Sequence, residues 1–269
     1  MKQMQRLVYG FVACGIALAM VTSLAAQPIE GAAKVVRIKG SARYTYGSSV
    51  WQPLKVGAVL KPGTVVQTSS DEGSYVDLVL GDGEGSVAVR PVAFSRSTPP
   101  PSAASSMAYQ PKSEQNTIRI MENSVLGVDK LTSVQTGSDV VTDTQLDLKA
   151  GRIIGSAKKM TAASKYEIKL PNGVAGIRGT FFDISAEGVV RVVTGSVVVA
   201  YVGPDGTVVT QVVAGGQQFD ARNGQLSPLA PEVLNSLRPI MPLGSSRPAE
   251  ATTFSTPPNI LYVSPIIGN

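Results

Sequence analysis

The 269-residue chain contains no histidine and a single cysteine, Cys14. Without histidine, Ser-His-Asp and Cys-His catalysis are excluded, as are zinc sites built from histidine and cysteine. Carboxylate, lysine, tyrosine and hydroxyl chemistry remains, but no pair of carboxylates stands out as a glycosidase pair would. We therefore expect a protein that is not an enzyme and that has no catalytic residue, no cofactor and no metal site.

Long helical patterns are also scarce. Hydrophobic residues make up 43% of the chain and charged residues 16%, which is enough for a core and too apolar for a mainly disordered protein. The 27 glycines and 18 prolines indicate many turns. Because valine is abundant between these turns, the composition favours an all-β fold.

The N-terminus, residues 1–26, predicts a secretory signal peptide. Lys2 and Arg6 precede an apolar run, which ends in small residues suited to cleavage. At about 15–18 residues the run is short for a membrane span, which usually needs about 20, and an uncleaved anchor is the alternative. Cys14 fits a lipidation motif poorly and reads as part of the apolar run. We expect a periplasmic or secreted protein that contacts the membrane only if this segment is not cleaved.

The charge of the exported chain argues against a nucleic-acid partner. Loss of Lys2 and Arg6 lowers the formal net charge from +5 to +3, and the remaining charges are spread along the chain. No cysteine would remain, so no disulfide is expected, and a core of this size does not need one.

Short alternating stretches separated by glycine turns predict the strands. A spacing of about eight to twelve residues is typical of a short-strand β-sandwich or a solenoid-like fold. The triplet at 204–206, Pro-Asp-Gly, predicts a hairpin turn, and Thr194-Gly195 predicts another turn just before it. The predicted strands lie at 33–40, 42–46, 64–68, 74–80, 117–120, 145–148, 166–170, 189–193, 196–202 and 207–213.

Two segments interrupt this pattern. Residues 95–116 are rich in proline and serine and predict a flexible insertion within one domain that extends over 33–226. Residues 227–269 form a proline-rich tail that we expect to be mostly disordered, with a helical turn or two at 231–237.

Several motifs resemble the FecR domain family. They are WQPLKVG at 51–57, LKPG at 60–63, PNGVAGIRGTFF at 171–182 and GSVVV at 195–199. The resemblance covers about 33–226 and implies an extracytoplasmic all-β domain. The best-known members of this family are iron-transport signal transducers with a cytoplasmic anti-sigma segment and one membrane span. Because only six residues precede the apolar run here, we expect a stand-alone exported domain rather than direct control of a sigma factor.

The segment GVAGIRGTFFDI at 173–184 holds one arginine among glycines and apolar residues. We expect a structural motif in which a buried Arg178 locks a turn by bonding carbonyls and a carboxylate, such as Asp183. Asp183 is expected to pair with Arg178 or Arg191. The glycines would let neighbouring backbone come close. The motif residues are Gly176, Arg178, Gly179 and Thr180, together with Trp51, which we expect in the core or at its rim.

Other candidate sites are weaker. Tyr44 and Tyr46 share one face of a predicted strand and indicate either a packing pair or a small aromatic platform. The acidic residues of two glycine-rich loops match no defined calcium loop and are read as solvated charges. They are Asp71, Glu72, Asp82 and Glu84.

These features predict an exported FecR-like β domain that acts as a binding or scaffold module at the cell envelope. Its partner would be an envelope protein or a polysaccharide. The alternative is an extracytoplasmic sensor in a transmembrane signalling pathway, similar to the iron-transport regulators, that works through a membrane partner. In that case the apolar stretch at 260–267 is a candidate for docking.

Overall fold

A computed structural model describes residues 27–81, 115–203 and 206–240 of the chain. The described residues form strands, one short helix and the turns between them, which confirms the predicted all-β class. The elements are β1 (Ile29–Glu30), β2 (Ala32–Lys39), β3 (Ala42–Tyr46), β4 (Gln52–Pro53), β5 (Val59–Leu60), β6 (Thr64–Thr68), β7 (Tyr75–Gly81), β8 (Asn116–Ile120), β9 (Val125–Thr136), β10 (Asp139–Ala150), β11 (Arg152–Ser156), β12 (Lys165–Leu170), β13 (Gly173–Ser185), β14 (Val189–Val202), β15 (Val208–Ala214), β16 (Gln217–Asp220), β17 (Gln225–Pro228), α1 (Pro231–Leu237) and a 3-10 turn (Arg238–Ile240).

The strands build two facing layers. The first sheet runs β2, β7, β8, β11 and the second half of β13, followed by the first half of β14, then β16 and β17. The second sheet runs β3, β6, β9, β10, β12 and the first half of β13, followed by the second half of β14 and then β15. No ladder among the described residues joins β2 to β3, so the whole is one curled, open sheet.

The two longest strands, β13 and β14, connect the layers. They pair along their whole length, from Gly173 with Tyr201 to Ile184 with Val190. The register shifts between Arg178 and Phe182, which marks a bulge that bends both strands from one sheet into the other. Thr194-Gly195 was expected to be a hairpin turn, and that prediction is wrong. It lies inside β14, because Gly195 supplies a positive φ of 82° for the bend.

The chain crosses between layers at several other places. β10 and β12 run parallel because β11 carries the chain through the first sheet between them. The hairpin of β9 and β10 was not predicted, since no strand was assigned between 121 and 144. The hairpin of β14 and β15 around 204–206 was predicted and is confirmed.

The core lies between the two sheets and is built from alternate residues of the strands. Its largest members include Tyr166 and Phe182, whose rings meet edge to face with centroids 6.4 Å apart. Ala33, Leu78, Leu126, Leu146, Ile168 and Val199 contribute further buried side chains from strands of both sheets.

After β17 the chain packs on the outer face of the first sheet. The helix α1 begins with Pro231, a favoured first helical residue, and buries Leu237 against Ile154, Phe181 and Val193. The helical turn expected at 231–237 is therefore confirmed. Residues 241–269 lie outside the described residues, as does the predicted insertion at 95–116 except for its last two residues.

Candidate functional site

The glycine-rich segment around Arg178 forms the bend between the two sheets. Gly179 has a φ of 56°, in the left-handed region that favours glycine. The buried Thr180 hydroxyl lies 2.8 Å from both the Arg178 and the Ser196 carbonyl oxygens, so it ties β13 to β14 at the bulge. A Cβ added at Gly195 would lie 2.4 Å from the Gly179 oxygen, so the two strands come together there only because glycine has no side chain.

Arg178 does not have the buried setting that we expected. Its side chain is exposed on the outer face of the second sheet, while its neighbour Ile177 points into the core. No hydrogen bond or ion pair of Arg178 is found within the described ranges. The reason is the position of the bulge: strand alternation still holds at Arg178, and the irregularity begins one residue later at Gly179. Gly176 is also on the outer face, where an added Cβ would meet only one atom at ordinary contact distance.

The carboxylate expected to pair with Arg178 is held by two other arginines. Asp183 is 0% exposed. Its two oxygens accept hydrogen bonds from Arg152 Nε and Nη2 at 2.7 and 2.8 Å, and Arg191 Nη1 lies 3.0 Å away. The expected pairing with Arg191 is confirmed. The hydrogen bond with Asp183 raises the pKa of the Arg152 guanidinium despite its partial burial.

A second ion-pair group lies on the same outer face of the first sheet. Arg119 donates two hydrogen bonds to Asp77, at 2.7 and 2.8 Å, and its guanidinium also lies 4.0 Å from the centre of the Tyr75 ring. Arg37 approaches the same carboxylate at 3.8 Å. Arg119, Arg37 and Asp77 therefore pair with one another and stabilise the first sheet.

The outer face of the second sheet has a different character. Its middle carries four pairs of lysine and carboxylate side chains, all at least partly exposed, which contribute little to stability. They are Lys130–Asp143, Lys149–Asp147, Lys165–Glu167 and Lys169–Asp129.

One edge of this face is apolar. Two cross-strand valine pairs, Val198 with Val212 and Val202 with Val208, point outward from β14 and β15. Their exposed fractions range from 43% to 74%. We call these four residues the valine edge. Among the described residues β15 pairs only with β14, so its outer backbone edge is open, and it contains no proline or charge to block pairing.

The opposite edge of the same face carries Trp51. Its side chain is 37% exposed, so it lies at the rim rather than in the core. The Arg43 guanidinium lies 4.7 Å from the indole centre, and Arg43 Nε donates to Gln67 Oε1 at 2.9 Å. These residues line a groove of about 500 Å³, which we call the Trp51 groove.

The weaker candidates are placed as follows. Tyr44 packs against the core and donates from its hydroxyl to Gln52, whereas Tyr46 is exposed, so the two do not form one platform. Asp71 and Glu72 are exposed in the turn before β7. The other two acidic loop residues, at 82 and 84, lie outside the described residues.

Comparison with known families confirms the resemblance over part of the chain. The model of the FecR protein family matches residues 109–198, about a third of the chain. The matched segment contains β8 to β13 and most of β14, including the bulge at Arg178. The wider extent of 33–226 remains a prediction.

Two solved structures from Parabacteroides distasonis, each described as that of an anti-sigma factor, are also similar. The first, at 2.50 Å resolution, has a TM-score of 0.34 and 13% identity, over 46% of this chain and 55% of that chain. The second, at 1.65 Å resolution, has a TM-score of 0.31 and 14% identity, over 42% of this chain and 50% of that chain. This chain thus spans about half the length of either. No curated protein matches it.

Proposed function

We propose that the chain is an exported, non-enzymatic FecR-type module that binds a protein partner at the cell envelope, as part of a signalling pathway. The match of the FecR family model to residues 109–198 supports a role in signalling. The predicted signal peptide at 1–26 supports export. Within the described ranges no helix has the length and apolar character that a membrane crossing requires.

The observation that carries the proposal is the valine edge on an open strand. Strands at the edge of a natural sheet are usually protected by charge, proline or a covering element. β15 reads Val-Val-Thr-Gln-Val-Val-Ala, without charge or proline, and no described element pairs with its outer edge. An extended segment of a partner can add to such an edge, with backbone hydrogen bonds for affinity and alternate side chains for specificity.

Arg178 adds a charge to this surface. Arg178 pairs in register with Ser196, which pairs with Ala214, one outward-facing row away from Val198 and Val212. A row on the same face is about 7 Å along the strand. A strand paired with β15 would lie three strands from Arg178 on β13, about 14 Å away at the usual strand spacing. The partner that fits is therefore an extended strand with alternating apolar side chains, followed by a segment that lies over the outer face and brings a carboxylate to Arg178.

Site-specific photocrosslinking in cells tests this function. A photoreactive amino acid is placed at Val212, and at Val59 in a matched chain, because Val59 is 60% exposed on β5 of the first sheet. We expect Val212 to crosslink one envelope protein, identified by mass spectrometry, and Val59 not to crosslink it. The Val208→Lys and Val212→Lys changes, placed in a chain crosslinked from Val198, should abolish the product.

Two results contradict the proposal. A crosslink only between two copies of this chain would make the valine edge a self-association surface. A product that is equally strong from Val59 would show that the valine edge has no special role.

A further inference from the structure

The Trp51 groove is a second surface with a distinct chemistry. It lies where β3, β4 and β6 meet the turn between β8 and β9, at the edge of the second sheet far from β15. Its volume of about 500 Å³ is within the range of small-molecule sites. We propose that this groove binds one or two sugar rings of a glycan.

The indole of Trp51 is held in a fixed position. The Arg43 guanidinium stacks over it, and Gln67 accepts a hydrogen bond from Arg43 at 2.9 Å. Because the guanidinium is planar and rigid, this stacking orients both side chains with little loss of conformational entropy. The exposed part of the indole therefore presents a preset flat apolar surface, which suits the apolar face of a pyranose ring.

Polar groups without protein partners surround this surface. The Nη atoms of Arg43 and the Nε2 atoms of Gln52 and Gln67 have no hydrogen-bond partner within the described part of the chain. Ser70 and Asn123 line the same groove, and their side chains make no hydrogen bond there either. Sugar hydroxyls need donors and acceptors around the edge of the ring, and these amides, hydroxyls and guanidinium supply them.

Asn123 stands out by its backbone. Its φ of 52° is the one positive value at a residue other than glycine in the described ranges. Asparagine tolerates this conformation better than most residues, but glycine would adopt it with less strain. Asn123 lines the groove, and this conformation places its amide at the groove wall.

The charges of the groove select among ligand classes. Arg43 is the only charged residue among the described residues that line it. A single cation is too little for a nucleic-acid strand, whose affinity depends on several phosphate contacts. The described lining has no carboxylate, which is the group that hard cations and glycosidases use. A neutral or weakly acidic glycan, bound and not hydrolysed, fits.

Tryptophan fluorescence provides a direct test, because Trp51 is the only tryptophan in the chain. The purified full chain is titrated with triacetylchitotriose and with cellotriose. We expect a saturable change in emission with at least one of them. No change with either up to about 10 mM, the weak end of specific recognition, overturns the proposal.

Variants separate binding from folding. Trp51→Ala, followed by calorimetry, should weaken binding at least about tenfold, as loss of one stacking surface predicts. Asn123→Gly should keep or raise the melting temperature while weakening binding, because it relieves the backbone and removes the amide. Arg178→Ala at the far edge serves as the control and should bind normally. Unchanged sugar affinity in Trp51→Ala would contradict the proposal, as would binding of an acidic peptide in place of both sugars.

This inference does not depend on the proposed partner at the valine edge. Loss of crosslinking from Val212 leaves the sugar titration unaffected, and loss of sugar binding leaves the crosslink unaffected.

Discussion

The outer faces of the two sheets differ in how they use Arg119, Arg152 and Arg191 on one side and Arg178 on the other. On the first sheet, Arg119, Arg152 and Arg191 are each paired with a carboxylate, and α1 covers the apolar side chains next to them. On the second sheet, Arg178 is exposed and unpaired among the described residues, and the four valines of the valine edge are uncovered. The first face is completed by the chain itself, whereas the second leaves groups available for a partner. Arg119, Arg152 and Arg191 are therefore used within the fold, whereas Arg178 has no partner among the described residues.

The largest effect that we expect concerns Asp183. Replacing it with alanine leaves Arg152 and Arg191 without their shared counter-charge, and we expect the free energy of unfolding to fall by about 3 kcal/mol. Removal of one partner of a buried ion pair usually costs about 3–5 kcal/mol. We expect the low end because both guanidiniums keep partial contact with solvent. Urea denaturation measures it. The matched Arg178→Ala change should cost less than about 0.5 kcal/mol, and a loss as large as that of Asp183→Ala would remove the difference between the two faces.

The two glycines near the bend should differ in the same way. Gly195→Ala places a Cβ 2.4 Å from a backbone oxygen at a φ of 82°, so we expect a loss of about 2 kcal/mol or more. Gly176→Ala meets only ordinary contacts on the open face and should change stability by less than about 1 kcal/mol. Thermal melts of both variants test this. Equal destabilisation would show that the outer face near Gly176 is packed after all.

A smaller, pH-dependent effect is expected at the turn after β16. The hydrogen bond from Arg222, at 2.7 Å, is the main cause that lowers the pKa of Asp220. A lowered pKa in the folded state stabilises the protein above the unfolded-state value of about 3.9, and this contribution is lost as the pH falls through the lower folded value. The stability difference between wild type and Arg222→Ala should therefore be present at pH 6 and shrink below about pH 4. Urea unfolding at the two pH values measures this stability difference. A difference that grows at low pH would contradict a lowered pKa of Asp220.

Much of the fold can be read from the sequence because it depends on local patterns. The strands at 64–68 and 74–80 appear at nearly the predicted places as β6 and β7, since alternation and glycine turns fix them. The Pro-Asp-Gly hairpin is likewise a local signal. The β9–β10 hairpin was missed because the alternation of β9 breaks at Asp129-Lys130, where two exposed charged residues follow each other at a shift in register.

The site was harder to predict because it depends on where a bulge falls. The sequence does not distinguish a glycine in a turn from a glycine in a bulge, since both adopt a positive φ. Gly195 was therefore predicted to lie in a turn, and Arg178 was predicted to be buried. The pair of Arg152 and Asp183 joins residues 31 apart in sequence, and only the pairing of β11 with β13 brings them together. The valine edge has a strand pattern, but nothing in that pattern says that, among the described residues, β15 pairs only with β14.

The central claim is that Arg178 and the valine edge serve a partner and not the fold. The most direct measurement compares the yield of the Val212 photocrosslink in the wild-type chain and in Arg178→Ala, with the melting temperature taken on the same preparations. We predict a yield that falls several-fold and a melting temperature that does not change. An unchanged yield together with a clearly lower melting temperature would contradict the account.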